Sequence, residues 1–160
     1  MTMDRRAFVV TGLAGLAALT GLAGCGIATD NSPPGRAGLY PNETPALRRS
    51  IEHYAQAYDV PVSLVQRVIL RESGHRPAAR NGPYYGLMQI LPQTAQTMGY
   101  PGPASGLLDA DTNLKYGVKY LRGAWLLSNG SQDRAVMWYA KGYYYEAKRR
   151  GMLDETGLRG

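Results

Sequence analysis

The chain has 160 residues, with 18 lysine or arginine against 12 aspartate or glutamate and a formal net charge of +6. This length suits one modest domain, and a single cysteine excludes any disulfide within the monomer, so apolar packing must hold the fold. The basic charge favours an acidic partner, of which nucleic acid is the usual one, although lysine and arginine can also serve solubility alone.

Residues 1–24 have the pattern of a secretory signal. Arg5-Arg6 precede an almost uncharged stretch, Ala7 to Gly24, that is rich in alanine, leucine and glycine. A transmembrane anchor is the alternative, but the stretch is marginal for a span of about 20 residues and its glycines weaken a permanent helix. The run Arg5 to Val9 is also similar to a twin-arginine export motif, and the sequence does not choose between the two export routes. Export argues against nucleic acid as the partner.

Cys25, the only cysteine, follows this segment directly. The run Leu22-Ala23-Gly24-Cys25 resembles the bacterial lipobox, whose cysteine is acylated and becomes the mature N-terminus. A cleaved signal without a lipid and a retained helix are the alternatives. We predict a lipoprotein signal over 1–24, a lipid-anchored flexible linker over 25–44 and one folded domain over 45–160, held at the periplasmic face of a bacterial membrane.

From Pro45 onward the apolar residues follow a helical period. Thr44-Pro45 predicts the start of a first helix, because proline is favoured at the first helical position. Residues 74–86 are rich in glycine and proline and are predicted as loop. We find no run of alternating β-branched residues, so the domain is predicted to be mostly α, with about five to six helices and at most a minor strand element. Further predicted helices run from Pro61 to near Gly74, from Pro92 to Gly99, from Asp109 to before Gly130, from Ser131, and over 143–150.

Glu72 lies among apolar positions of the second predicted helix. At 100° per residue, it falls at about 80° from Leu64, between Val68 at about 40° and Ile69 at about 140°. A carboxyl group in such surroundings has a raised pKa and keeps a proton that it can donate to a leaving oxygen. The alternatives are a carboxylate neutralised by Arg71 or Arg76, and a residue beyond the frayed helix end.

Two short motifs follow one another here: Glu72-Ser73-Gly74 and, further on, Gly86-Leu87-Met88-Gln89-Ile90. Together they resemble the signature motifs of the soluble lytic transglycosylase (SLT) domain family, and the likeness covers roughly residues 46–145. The resemblance implies a goose-type lysozyme-like fold and an enzyme that cleaves the glycan strands of peptidoglycan, whose carboxylates suit a basic partner. The likeness continues through Pro92, Thr94, Ala95, Leu108-Asp109, Thr112-Asn113, Gly117 and Tyr120-Leu121.

The resemblance also implies residue roles. Glu72 would be the single catalytic acid/base, and Ser73 its neighbouring hydrogen-bond partner near the cleaved linkage. Gly86 would let the backbone approach the glycan. The remaining residues implied to bind substrate in the groove are Met88, Gln89 and Tyr139, the ring of Tyr139 lying close to the catalytic carboxyl.

The chain departs from the family pattern at two places. It has Tyr139-Ala140-Lys141-Gly142 where the family has Tyr-Asn-Ala-Gly, so at Ala140 the asparagine is missing that supplies a substrate contact or the loop geometry in relatives. Tyr84 and Tyr85 replace smaller residues, and their rings either form an additional sugar subsite or pack within the loop.

No second carboxylate stands out as a nucleophile, which fits a substrate-assisted route. In the mechanism implied by the family, Glu72 protonates the MurNAc-β-1,4-GlcNAc oxygen and then activates the C6 hydroxyl, giving a 1,6-anhydro end. His53 and His75 lie far apart without a zinc motif, so we expect no metal and no cofactor. A hydrolytic muramidase using the same Glu72 and a non-catalytic peptidoglycan-binding lipoprotein are the alternatives.

Overall fold

The computed structural model describes residues 38–159. The predicted signal, the possible anchor Cys25 and most of the predicted linker lie outside the described residues and stay predictions. The prediction of a mostly α domain with about five to six helices and a minor strand element is confirmed. The described part contains α1 (Pro45–Ala57), α2 (Val62–Glu72), β1 (Arg80–Asn81), β2 (Tyr84–Tyr85), α3 (Pro92–Thr97), a 3-10 helix (Ala104–Leu108), α4 (Ala110–Leu126), α5 (Gln132–Lys141) and α6 (Tyr144–Arg150).

Side-chain caps explain where three of the helices begin. The hydroxyl of Thr44 accepts a hydrogen bond from the N–H of Leu47 at 3.1 Å, with proline in the first turn of α1. Asp109 accepts from the N–H of Thr112 at 2.8 Å at the start of α4. Ser131 caps α5 in the same way. Each cap satisfies a backbone donor that the helix itself leaves unpaired.

The core forms between α2 and α4, each of which packs against α1 and α5. Leu64, Val65, Val68 and Ile69 are fully buried, and the buried face of α4 completes this main cluster. A second, smaller cluster consists of Ile90, Ala95, Tyr100 and Leu107. The C-terminal end of α2 is thereby fixed next to the loop that carries the hairpin.

The side chain of Asn113, in α4, holds that loop in place through three hydrogen bonds. Its side chain is fully buried and its Oδ1 accepts from the N–H of Met88 at 2.8 Å. Its Nδ2 donates to the carbonyls of Tyr85 and Leu107, both at 2.8 Å. A side chain at Gly86, which has a φ of 74°, would collide with Asn113 and with the Leu107 carbonyl. Glycine is therefore required at this point of the loop.

Contacts with the helical domain begin before α1, within the last residues of the predicted linker. Glu43 is buried, and the ring of Tyr40 stacks on that of His75 with 4.9 Å between centroids. None of the helices within residues 38–159 has the length and apolar character needed to cross a membrane.

Candidate active site

Glu72 is the last residue of α2, and its side chain is 24% exposed. Its carboxyl lines a groove of about 320 Å³. The nearest cation is Arg71, whose Nε lies 3.6 Å from Oε1 of Glu72, and the side chain of Arg71 is 55% exposed. Arg76 is not a partner, because its Nε donates to the backbone carbonyl of Ser73 at 2.8 Å. The carboxyl group thus faces the groove and is not locked to a buried arginine.

Burial raises the pKa of Glu72 above its ordinary 4.5, and the charge of Arg71 opposes the shift without cancelling it. Desolvation disfavours the charged form of a carboxyl group, and an exposed arginine restores only part of the lost stabilisation because water screens it. Such a group holds its proton to a higher pH than a solvated glutamate. It can therefore act as a general acid nearer to neutral pH.

The groove beside Glu72 is formed by the hairpin on one side and the end of α5 on the other. Asn81 and Tyr84, which pair across the hairpin, contribute the first wall. Gln89, Tyr139, Ala140 and the neighbouring Arg71 line the rest. Tyr84, Gln89, Tyr139 and Ala140 also line an adjoining space of about 300 Å³ that continues past Leu91, Thr94, Tyr120, Lys141 and Gly142. The cleft is therefore longer than the immediate surroundings of the carboxyl group and suits an extended chain molecule.

Tyr139 is held in one orientation by a single hydrogen bond. Its hydroxyl donates to the carbonyl of Met88 at 2.8 Å, and its ring packs edge-on against Tyr120. Burial, and next the charge of Glu72, hold the pKa of Tyr139 well above 10, so the phenol stays neutral. Because its only hydroxyl hydrogen points to Met88, the phenol does not donate to the carboxyl of Glu72. Its ring forms a wall of the groove.

The side chain of Gln89 is also held in place by hydrogen bonds. Its backbone has a φ of 48°, and its side-chain Nε2 donates to the carbonyls of Gly86 at 2.8 Å and Ala79 at 3.1 Å. These bonds tie the two sides of the loop together and leave the amide oxygen as the acceptor of this side chain. Within residues 38–159, no group of three histidine, cysteine, aspartate or glutamate residues is placed to hold a metal ion.

A comparison with protein-family models matches residues 49–151 to the family described as the transglycosylase SLT domain. The chain belongs to this family. The matched region contains Glu72, the hairpin and every wall of the groove. No solved structure matches the chain. Membership of the SLT family supports a lytic transglycosylase that acts on peptidoglycan.

Several of the site residues predicted from the sequence meet at the groove. The structure brings Glu72, Tyr84, Gln89, Tyr139 and Ala140 together around one cleft. Their assignment to catalysis and substrate binding stays a prediction.

The other predicted site residues lie elsewhere. Ser73 is buried and its hydroxyl donates back to the Ile69 carbonyl at 3.4 Å. The side chain of Met88 is fully buried and packs against Gly117. Tyr85 is half-buried with the guanidinium of Arg80 4.8 Å from its ring centroid, on the hairpin face opposite Tyr84. The space beside Gly86 is filled by protein atoms, so in this structure that glycine serves loop packing.

Asn81 was not singled out from the sequence, although it lies in the groove with Glu72 and Ala140. It places a side-chain amide in a cleft whose asparagine is missing at position 140. The sequence carries no local signal for this, because Asn81 stands in a Gly/Pro-rich loop whose two-residue strands are too short to show a period.

Proposed function

We propose that this SLT protein cleaves the MurNAc-β-1,4-GlcNAc bond of peptidoglycan and leaves 1,6-anhydro-MurNAc ends, with Glu72 as the only acid/base. The observation that carries the proposal is the half-buried carboxyl at the end of α2, with its raised pKa, facing an extended groove. None of the other side chains that line this groove within the described residues carries a carboxyl group. A two-carboxylate mechanism therefore has no second partner there.

In the first step Glu72 donates its proton to the glycosidic oxygen, and the C1–O bond breaks. The carbonyl oxygen of the MurNAc N-acetyl group stabilises the positive charge that develops at C1. In the second step the Glu72 carboxylate removes the proton of the C6 hydroxyl, and the C6 oxygen bonds to C1. Glu72 ends protonated, as it began, and no water is consumed.

The groove walls suit this substrate. The exposed ring of Tyr84 offers an apolar face to a sugar, and the amides of Asn81 and Gln89 offer hydrogen bonds to N-acetyl and hydroxyl groups. We assign these residues, with Tyr139, to glycan binding. Acylation of Cys25 would hold the enzyme at the periplasmic face of the membrane, within reach of the cell wall.

The decisive experiment identifies the sugar ends released from purified sacculi by mass spectrometry. We expect muropeptides with anhydro ends, lighter by one water than reducing ends. Reducing ends alone would replace the proposal with a hydrolytic muramidase that uses the same Glu72. Binding to sacculi without release of any soluble sugar would identify a non-catalytic peptidoglycan-binding lipoprotein.

The dependence of activity on pH tests whether Glu72 is protonated in the active free enzyme. Because the proton donor must be protonated in the free enzyme, kcat/KM is expected to fall as pH rises through the raised pKa of Glu72. The charge of Arg71 lowers that pKa, so Arg71→Gln should move the alkaline limb of the profile to higher pH. Arg67→Gln is the matched control, because Arg67 lies on the same helix and pairs with Asp133 at 2.5 Å. An unmoved limb, or an equal shift in both variants, would contradict the assignment.

A further inference from the structure

A buried chain of side chains connects the segment before α1 to the residues that follow Glu72. The carboxylate of Glu43 accepts from Arg48, with Nε at 2.7 Å and Nη2 at 2.6 Å, and from the N–H of Tyr40 at 2.9 Å. It also accepts from Nε2 of Gln66 at 2.7 Å. The Oε1 of Gln66 in turn lies 2.6 Å from Nε2 of His75. Glu43, Gln66 and His75 are each less than 10% exposed, and we call these three residues the relay.

The charge of Glu43 fixes the direction of every hydrogen bond in the relay. Burial would raise the pKa of Glu43, but the hydrogen bonds from Arg48, Gln66 and Tyr40 outweigh it and lower the pKa from 4.5 to about 2. A carboxylate only accepts, so Gln66 must turn its NH₂ to Glu43 and its oxygen to His75. His75 is therefore the donor through Nε2–H. Its buried Nδ1 has no hydrogen-bond partner among residues 38–159, which fits a neutral ring whose pKa burial lowers.

The relay acts on the end of the helix that carries Glu72. Gly74 and His75 both have a positive φ, of 58° and 62°, and this sharp reversal folds the imidazole back against α2. Gln66, its partner, lies on α2 itself, so the bond joins two residues nine positions apart in sequence, one before and one after Glu72. Asn42 adds a second hydrogen bond between the segment before α1 and the residues after Glu72, since its Nδ2 donates to the Gly74 carbonyl at 3.0 Å. The ring of Tyr40 covers His75 from outside.

Helix ends fray unless their last turn is held. The carboxyl of Glu72 stands on that last turn, and its angle to the groove follows the backbone of Glu72, Ser73 and Gly74. We propose that Glu43, Gln66 and His75 are positioning residues, which hold the end of α2 so that the Glu72 carboxyl keeps its direction toward the glycan oxygen. This inference rests on the proposed function of Glu72. It adds a role for the segment before α1, which contributes Glu43.

The test compares catalysis with binding in the full-length protein. His75→Phe keeps an aromatic ring against Tyr40 but removes the bond to Gln66. We expect kcat for release of anhydro ends to fall roughly tenfold, since small misplacements of a reacting group have effects of this size. Binding to sacculi, measured by pelleting, should stay within about twofold, because neither His75 nor Gln66 lines the groove. Glu43→Gln keeps an acceptor for Gln66 and should lower kcat less than His75→Phe does.

Ser128→Ala is the control for stability. Ser128 is fully buried just after α4, its hydroxyl donates to the Trp125 carbonyl at 2.7 Å, and it is not among the residues that line the groove. All assays are run well below the midpoint of thermal unfolding, where Ser128→Ala should keep wild-type kcat. Wild-type kcat in folded His75→Phe, or an equal loss in Ser128→Ala, would overturn the inference and leave the proposed function intact. If His75→Phe does not fold, an undiminished kcat in Glu43→Gln would overturn it. A wild-type protein that releases no sugar ends would overturn both.

Discussion

Glu72→Gln is expected to lower the release of anhydro ends from purified sacculi by about a thousandfold or more. One carboxyl group serves as acid in the first step and as base in the second, and general acid–base catalysis is typically worth about 10²–10⁴-fold. Glutamine matches glutamate in size but can neither give up nor take a proton under these conditions. Turnover at saturating substrate, followed by mass spectrometry of the products, measures the effect.

The same substitution should not weaken the fold. The ionised carboxyl group of Glu72 is partly desolvated, as its raised pKa indicates, and the neutral amide avoids that cost. We therefore expect an unchanged or higher unfolding midpoint together with the lost activity. Glu52→Gln, an exposed position on α1, is the matched control and should keep wild-type turnover. Substantial turnover in Glu72→Gln would show that another group supplies the proton.

Asn113→Ala is expected to lower the free energy of unfolding by about 3–5 kcal/mol. The substitution leaves the N–H of Met88 and the carbonyl of Leu107 without partners in a buried place. It also removes one of the two donors to the Tyr85 carbonyl, which still accepts from the N–H of Ile90 at 3.1 Å. Each unsatisfied buried group costs about 1–3 kcal/mol. Because domains of this size are stable by only about 5–15 kcal/mol, the loss is a large fraction of the total. Urea unfolding at 25 °C measures it.

Asn113→Asp separates hydrogen bonding from loss of volume. A carboxylate can still accept from Met88 but repels the two carbonyls, so its pKa in the folded protein should be raised. Relative to the wild type, this variant should then be most stable at acid pH, where the protonated group can donate, and should lose that stability as pH rises through the folded pKa. Gln96→Ala, an exposed position on α3, should unfold like the wild type. Equal stability of Asn113→Asp and the wild type at neutral pH would contradict the assigned bonds.

The helices could be predicted because their start signals are local. Pro45, Pro92, Asp109 and Ser131 each stand at or next to the first residue of the corresponding helix. A cap or an N-terminal proline acts within one turn, so a single sequence is enough to find it. The hairpin lies in the region predicted as Gly/Pro loop, and the 3-10 helix lies between the third and fourth predicted helices. Neither could be predicted, because elements of two to five residues show no period.

The position of Glu72 could also be predicted, since helical period alone places it beside Leu64 and Val68. The orientation of the residues in the Gly86–Ile90 motif could not. Met88 and Gln89 are adjacent in sequence, yet one side chain enters the core and the other lines the groove. Which of the two side chains enters the core depends on Asn113, which is 25 residues away from Met88 and fixes the Met88 backbone. Long-range hydrogen bonds of this kind leave no trace in a local pattern.

The relay could not be predicted from the sequence either, because the hydrogen bond that joins Glu43 to Gln66 is also long-range. Glu43 stands in a segment whose composition predicts a linker, and Gln66 and His75 acquire their roles only when that segment folds back. The burial of His75 agrees with the packing role that a loop histidine usually has, but its partners, Gln66 and Tyr40, come from two other stretches of chain.

The contacts of Tyr40 and Glu43 with the domain also limit the length of chain between Cys25 and the domain. Given acylation of Cys25, only thirteen residue steps separate the lipid from Gly38. A fully extended chain of that length spans at most about 45 Å. While the relay is formed, the cleft would therefore reach only glycan strands within a limited distance of the bilayer. Strands farther out would stay beyond its reach until Glu43 separated from its hydrogen-bond partners.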